Sequence, residues 1–242
     1  MIAFVADLQG INRIRAQLRR VANPGIARAS QRFFKTGPGE YGAGDRFLGI
    51  RVPQLRKLVR AFQDVPLSAV TSLLQSKWHE ERLFALMLLE RQYQRGDEKT
   101  CRRIAKLYLA KRKFVNNWDL VDSSAHVILG PHLQHAGRPL LDRLARSRSL
   151  WDRRIAMLAT LCYIRQRDHQ DALRIAALLI NDGEDLIHKA VGWMLREIGN
   201  RDPAVERKFL DAHAARMPRT MLRYAIEKFP PRERARYMRA AA

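Results

Sequence analysis

Trp118 and Asp122 lie one helical turn apart in the stretch WDLVD. At about 100° per residue, Val115, Trp118, Val121, Ala125, Ile128 and Leu129 share one helix face, and Asp122 falls at its edge beside Trp118. An ionised carboxylate there is costly unless it is paired or opens into a cleft, and in a cleft it is a candidate for chemistry. Capping a neighbouring helix or pairing with one of many arginines would satisfy it equally, and Trp118 would then be plain core. Two further segments bear on the choice. LWDRRIAMLAT sets Arg153 and Arg154 early in an apolar helix. HKAVGWMLREIGNRDP sets Trp193 on another, with Arg196 three residues after it and Lys189 four before. Two tryptophans, one carboxylate and several cations on separate helices form a candidate site.

The elements that must position these residues all read as helix. Apolar spacings of three and four mark 67–76, 79–96, 98–112, 150–166, 169–181, 185–200 and 203–217. No strand alternation is evident. The breaks are short: Gly96-Asp97, Gly130-Pro131, Asp182-Gly183, Asp202-Pro203, Met217-Pro218 and Pro230-Pro231. Helices recur in pairs every 35 to 40 residues or so, the rhythm of HEAT-like repeats. The expected fold is therefore all-α, an α-solenoid (superhelix) with a concave, basic groove, forming one domain over residues 1–242. One region departs from the pattern. FFKTGPGEYGAGDRFLGIRVP (33–53) holds five of the 13 glycines. Without GK[ST] or a preceding strand, a phosphate loop is disfavoured and a long ordered loop is expected. Lys35, Tyr41, Arg46 and Arg51 are candidates to touch a phosphate backbone from it. The segment 219–239, with Tyr224, reads as a last repeat with a basic face, either an extension of the basic groove or a cap.

Composition narrows the partners. Net charge is +21 and pI about 11.0, spread along the chain and carried mostly by arginine, whose planar fork suits phosphate. A polyanion or an anionic surface is the expected partner, although an arginine-rich composition alone would raise the charge. Hydrophobic residues make up 47% of the chain, which excludes a disordered polyelectrolyte. Cys101 and Cys162 lack zinc-ligand spacing, as do His126, His188 and the other histidines, so no metal is expected, and both cysteines are expected reduced and buried in a cytoplasmic protein. The first residues, MIAFVADLQGINRIR, meet Asp7 too early for a signal peptide, and no run of about 18 apolar residues would span a membrane.

Taken in order, FLGIRVPQLRKL, NNWDLVD, LWDRRIAML and KAVGWMLREIG resemble the AlkD-type DNA alkylation repair family, the HEAT-like-repeat DNA glycosylases. The likeness covers about residues 10 to 240. It implies a catalytic cleft of Trp118, Asp122 and Trp193, and contacts to DNA phosphates from Arg154 and Arg196. Arg153, Lys189, Arg51 and Arg56 join the expected DNA-binding set. The Gly-rich insert at 36–44 is longer than in the compact family pattern. The implied reaction is hydrolysis of the N-glycosidic bond of N3-methyladenine or N7-methylguanine in double-stranded DNA, by a monomer with no cofactor. Residue types fit that chemistry. Indole faces attract a cationic base, and a carboxylate stabilises the oxocarbenium-like sugar and orients or deprotonates the attacking water. The base leaves neutral, so no leaving-group acid is needed. A non-catalytic HEAT-repeat nucleic-acid-binding protein is the alternative, and a peptide-binding scaffold fits the charge poorly. A helix-hairpin-helix glycosylase would need an LPGxG-like turn, which is absent. A lyase would need an activated lysine, for which Lys189 is the nearest, though a phosphate contact or a solvated position suits it better.

Overall fold

A computed structural model describes the backbone of residues 2–136 and 139–240, and the side chains of 10–134 and 139–239. The side chains of MIAFVADLQ, read above for a leader, lie outside the described residues. The fold is all-α, of the helical-repeat kind, with no strand among the described residues beyond an isolated bridge between Arg46 and Trp78. The chain divides into two compact units, Met1–Ser124 and Ala125–Ala242.

The first unit holds α1 (Ile2–Arg20), α2 (Pro24–Phe33), α3 (Val52–Ala61), α4 (Leu67–Leu74), α5 (His79–Arg95), α6 (Glu98–Lys111) and α7 (Trp118–Ser124). Its centre is α5, against which α3, α4, α6 and α7 pack. From His79 to Leu89 nearly every residue of α5 is buried, and its first turn buries four polar residues, His79, Glu80, Glu81 and Arg82. A helix buried all round is expected to be apolar all round. The exception is concentrated at one end, where the Gly-rich loop lies. Helix starts follow the capping rule: the Asn23 and Asp97 side chains accept from Ile26 N at 3.0 Å and Thr100 N at 2.8 Å.

The second unit opens with a π-helical turn, Ala125–Leu129. There follow α8 (Gly130–Ala136), α9 (Pro139–Ala145), α10 (Leu150–Ala159), α11 (Leu161–Arg165), α12 (Gln170–Leu178), α13 (Asp185–Gly199), α14 (Pro203–His213), α15 (Arg219–Ala225) and α16 (Pro231–Ala240). Helix α13 is central and packs on α10, α11, α12, α14 and α15. It meets α15 closely because residue 192 is glycine: a Cβ there would stand 2.4 Å from Met221 O and 2.5 Å from Tyr224 Cβ.

Three elements differ from the sequence expectation. The segment 150–166 is two helices rather than one, parted at Thr160, whose hydroxyl donates to Met157 O at 2.6 Å; such a bond competes with the helical ladder. The helix from Pro203 gives way to a 3-10 turn at Ala214–Arg216, ahead of Pro218, whose missing N–H ends helical pairing. The apolar stretch after Trp118 is α-helical only to Ser124 before the π turn, a form that recurs where an extra residue is fitted into a helix. Cys101 and Cys162 are free thiols, half-buried rather than buried. Among the described residues no helix is long and apolar enough to cross a membrane.

Candidate functional site

Trp118 opens α7, and its backbone N–H donates to the Asn117 side-chain oxygen at 2.8 Å. Asn117 is fully buried, and its amide nitrogen donates to Asp45 Oδ2 at 3.2 Å, so a loop residue 72 positions earlier fixes where α7 begins. One turn later Asp122 is half-buried, as is Trp118. The buried face of α7 is Leu120, Val121 and Ser124. The hydroxyl of Ser124 donates to Leu120 O at 2.6 Å and lies 3.1 Å from that of the buried Tyr108.

The indole of Trp118 belongs to an aromatic stack. Phe34 lies over it at 5.2 Å between centroids and 19° between planes, and Phe33 meets it edge-on at 5.9 Å. Phe34 in turn stacks on Phe47 at 5.0 Å and tilts against His79 at 5.0 Å, while Phe47 stacks on His79 at 4.5 Å. Offset-stacked and edge-on pairs are the favoured arrangements of quadrupolar rings. Phe34 and Phe47 both come from the Gly-rich stretch, which thus delivers two rings to the neighbourhood of the WDLVD helix.

Beneath the rings is a buried polar network. His79 Nε2 donates to Asp119 Oδ2 at 2.8 Å and Nδ1 to Asp45 Oδ2 at 3.0 Å. Arg82 donates to Asp45 Oδ1 at 2.5 Å and to Ser76 O at 3.0 Å. Burial and the nearby Arg82 charge disfavour the His79 cation, but the hydrogen bond and charge of Asp119 and the hydrogen bond of Asp45 outweigh them and lift the pKa to about 9. Burial likewise opposes the Asp45 carboxylate, yet His79, Arg82 and Asn117 hold its pKa below the ordinary value. Near neutral pH the group is an imidazolium held by two carboxylates.

Three amides of the Gly-rich loop are turned inward, to a side chain of α5. Leu48, Gly49 and Ile50 donate to the Glu80 carboxylate at 2.8, 2.7 and 3.2 Å. Successive N–H groups of this kind make an anion-binding concavity, here filled by the protein's own side chain. Gly49 is required: its φ is +79°, and a Cβ would stand 2.0 Å from Asn23 O. The expected ordered loop is present, and the phosphate-loop alternative is excluded for these three amides.

The other residues of the expected catalytic and DNA-binding set lie in the second unit, around α13, except Arg51 and Arg56, and the loop candidates Lys35, Tyr41 and Arg46 lie in the first unit. Lys189, Trp193 and Arg196 are half-buried along one side of α13, while Ile187, Ala190, Val191, Met194, Leu195 and Ile198 are buried. Trp193 Nε1 donates to Glu197 Oε1 at 3.3 Å, and Glu197 pairs with Arg201 at 2.7 Å. Arg196 is paired with Glu227, and Lys189 with Asp185 at 2.7 Å. Arg154 is buried and donates to Leu186 O. Arg153 grips Asp182 through Nε at 2.6 Å and Nη2 at 3.2 Å, and its other terminal nitrogen donates to Ser147 O and Arg148 O. Its fork is thus engaged within the protein. Arg51 and Arg56, in the first unit on and beside α3, are exposed. Among the described residues no cluster of three or more His, Cys, Asp or Glu could hold a metal ion.

Sequence reasoning singled out Trp118, Asp122, Trp193 and the arginines, but not His79, Asp45, Asn117, Phe34 or Phe47. One signal was available: HEERL opens an apolar helix with charges that no amphipathic pattern explains.

Comparison with curated proteins returned no match. Among solved structures, one described as a predicted DNA alkylation repair enzyme from Enterococcus faecalis superposes with a TM-score of 0.67 at 18% identity, covering 87% of this chain and 97% of that one. At that identity the likeness speaks for the fold. The sequence itself matches the family model described as DNA alkylation repair enzyme over residues 14–229, nearly the whole length. The chain therefore belongs to the DNA alkylation repair enzyme family.

Proposed function

We propose that the protein is a monofunctional DNA glycosylase that hydrolyses the N-glycosidic bond of positively charged alkylated purines, N3-methyladenine and N7-methylguanine, in duplex DNA and leaves an abasic site. The observation that carries this reading is the pairing on α7 of a half-buried, stacked indole with a half-buried carboxylate one turn on. In this reading Trp118 and Trp193 offer π-faces to the cationic base. Asp122 stabilises the positive charge that develops on the sugar and orients or deprotonates the water that attacks its anomeric carbon. The bonding electrons of the C–N bond return to the base, which departs neutral. One carboxylate therefore suffices, where ordinary glycoside hydrolysis uses two.

Binding follows from charge. The net charge of +21 supports a sequence-independent hold on the phosphate backbone, to which we assign Arg51, Arg56, Lys189 and Arg196. Arg153 and Arg154 join that assignment only through whatever their internal partners leave available. We also assign the protein to the cytoplasm, acting as a single domain and a monomer, with no metal or cofactor.

The experiment is release of methylated purine from alkylated duplex DNA by the purified protein. Expected are free N7-methylguanine or N3-methyladenine and alkali-sensitive abasic sites, without strand scission by the protein. DNA binding with no base released from either lesion would support the non-catalytic alternative, and direct nicking would refute the monofunctional assignment.

A further inference from the structure

We propose that His79 is the positioning residue of this site: clamped between Asp45 and Asp119, it fixes both the first turn of α7 and the ring stack that sets the plane of the Trp118 indole. The proposal rests on the reading of Trp118 as a face for the alkylated base and adds to it the residue that holds that face.

Three observations converge. First, His79 is almost fully buried, and each ring nitrogen has a carboxylate partner, at 2.8 and 3.0 Å. A ring bonded on both edges cannot rotate without breaking a charge-assisted bond. Second, the ring also packs against two aromatic rings, Phe47 at 4.5 Å and Phe34 at 5.0 Å, and Phe34 is the ring lying over Trp118. Any tilt of the imidazole therefore passes through one intervening ring to the indole. Third, Asp119 is the residue after Trp118 and three before Asp122, about 60° from Asp122 around α7. The bond from His79 ties down the helix end that carries both. It also sets a positive charge on Asp119, the carboxylate nearest in sequence to the one assigned to chemistry.

The arrangement is more elaborate than a core needs. The groups facing His79 are Asp45 from the loop, Asp119 from α7 and Arg82 from its own helix, so one carboxylate and two cations are buried and a second carboxylate is half-buried beside them. Buried ion clusters of this kind seldom stabilise more than apolar side chains of the same volume would. A role in fixing geometry explains why the charges are there. It also explains the Gly-rich stretch, which carries Phe34, Asp45 and Phe47 to the stack, while Glu80 holds its amides.

The test uses His79→Phe, which keeps a ring against Phe34 and Phe47 but breaks both hydrogen bonds, and Asp119→Asn, which keeps the shape and removes the charge. Leu74→Ala, in the core of α4, supplies a destabilised control in the same unit. The readout independent of activity is acrylamide quenching of Trp118, taken as the difference between each protein and its Trp118→Phe counterpart, since the chain has four tryptophans. The second readout is single-turnover base release beside affinity for undamaged duplex. Expected are at least a twofold rise in Trp118 quenching and about a tenfold slower release at unchanged affinity in both variants, with neither change in Leu74→Ala. Wild-type quenching in a folded variant, or equal quenching in the Leu74→Ala control, would overturn the proposal. If His79→Phe does not fold, Asp119→Asn decides. If the wild type releases no base, the glycosylase reading fails, and the quenching comparison alone decides whether His79 positions Trp118.

Discussion

Phe34 lies over Trp118 with 5.2 Å between ring centroids and 19° between ring planes, so a residue at the mouth of a glycine-rich loop sets the attitude of the first residue of α7. The indole is half-buried, partly covered by this ring and by Phe33 edge-on. An aromatic fixed in this way loses little further freedom when a ligand settles on it, which is the benefit of preorganisation.

Neutralising Asp122 separates chemistry from scaffolding. Asp122→Asn keeps the side-chain shape and removes the charge assigned to the cationic transition state. Loss of one preorganised electrostatic group costs about 2.7–4 kcal/mol, or roughly 10²–10³ in rate. Single-turnover release of N7-methylguanine should slow by that factor at unchanged DNA affinity. A variant that binds and turns over like the wild type would remove Asp122 from the chemistry.

The pair between Arg196 and Glu227 makes an opposite-signed set of predictions. Arg196→Ala should weaken binding about equally on unrelated sequences and lower the salt slope of affinity by roughly one. Glu227→Gln leaves Arg196 its charge and frees it from its partner, so binding should tighten. Titrations between low and moderate salt check both. A loss confined to certain sequences would mean that Arg196 reads bases.

Glu206 gives stability a pH dependence of known sign. It is buried, and burial first, then the Glu233 charge, against the pull of Arg207 and Arg196, raises its pKa from 4.5 to about 8. A raised carboxyl pKa means that the folded state binds the proton more tightly than the unfolded one. The resulting stabilisation is complete below about 4.5 and is lost as pH rises through about 8. Glu206→Gln should therefore raise Tm near pH 8 and flatten its fall from pH 5 to 8. His79, raised from 6.5 to about 9, contributes stability that is complete below 6.5 and fades as pH passes 9, so a residual alkaline loss should remain in the variant. Melting curves across pH 5 to 10 test the pair, and an unchanged profile in Glu206→Gln would refute the assignment.

Glu80→Ala should be costly out of proportion to the size of the change. It strips three amides, Leu48, Gly49 and Ile50, of a charged acceptor inside the protein. Hydrogen bonds to charged groups and stranded buried donors each count for about 1.5–3 kcal/mol, so a loss of about 3 kcal/mol or more is expected in denaturant unfolding. Glu80→Gln should cost less. A loss under about 1 kcal/mol in Glu80→Ala would show that water replaces the carboxylate.

What could be read beforehand divides along a physical line. Apolar spacing is a local property, so 67–76, 79–96 and 185–200 reveal themselves as helices, and Trp193 and Lys189 fall on one side of α13 as their four-residue spacing requires. Partnerships between distant residues leave no such trace. Asp45 meets His79 across 34 positions and Asn117 across 72, and nothing periodic connects them. The same holds for Arg153, whose partner Asp182 is 29 positions on. Beside Arg154 in an apolar helix it joined the expected DNA-binding set, while its geometry commits it to a carboxylate. The loop at 33–53 was legible as ordered, but that Phe34 would end up on Trp118 depends on a chain reversal that glycines permit without specifying.

The Glu80 bridge to the loop also bears on the order in which the chain organises itself. It joins positions 30 to 32 apart, and the Asn117–Asp45 bond closes 72. Closing a longer loop costs more entropy, so α4 and α5, neighbours in sequence, can pair before either bridge is made. The ring stack around Trp118, which itself joins Phe34 to a residue 84 positions on, then forms with the long closures rather than the short ones. Late-forming contacts tend to be the first to open in the native ensemble, and amides of residues 45–50 and 117–120 should exchange with solvent hydrogen sooner than those of α5. Slower exchange there than in α5 would reverse that order.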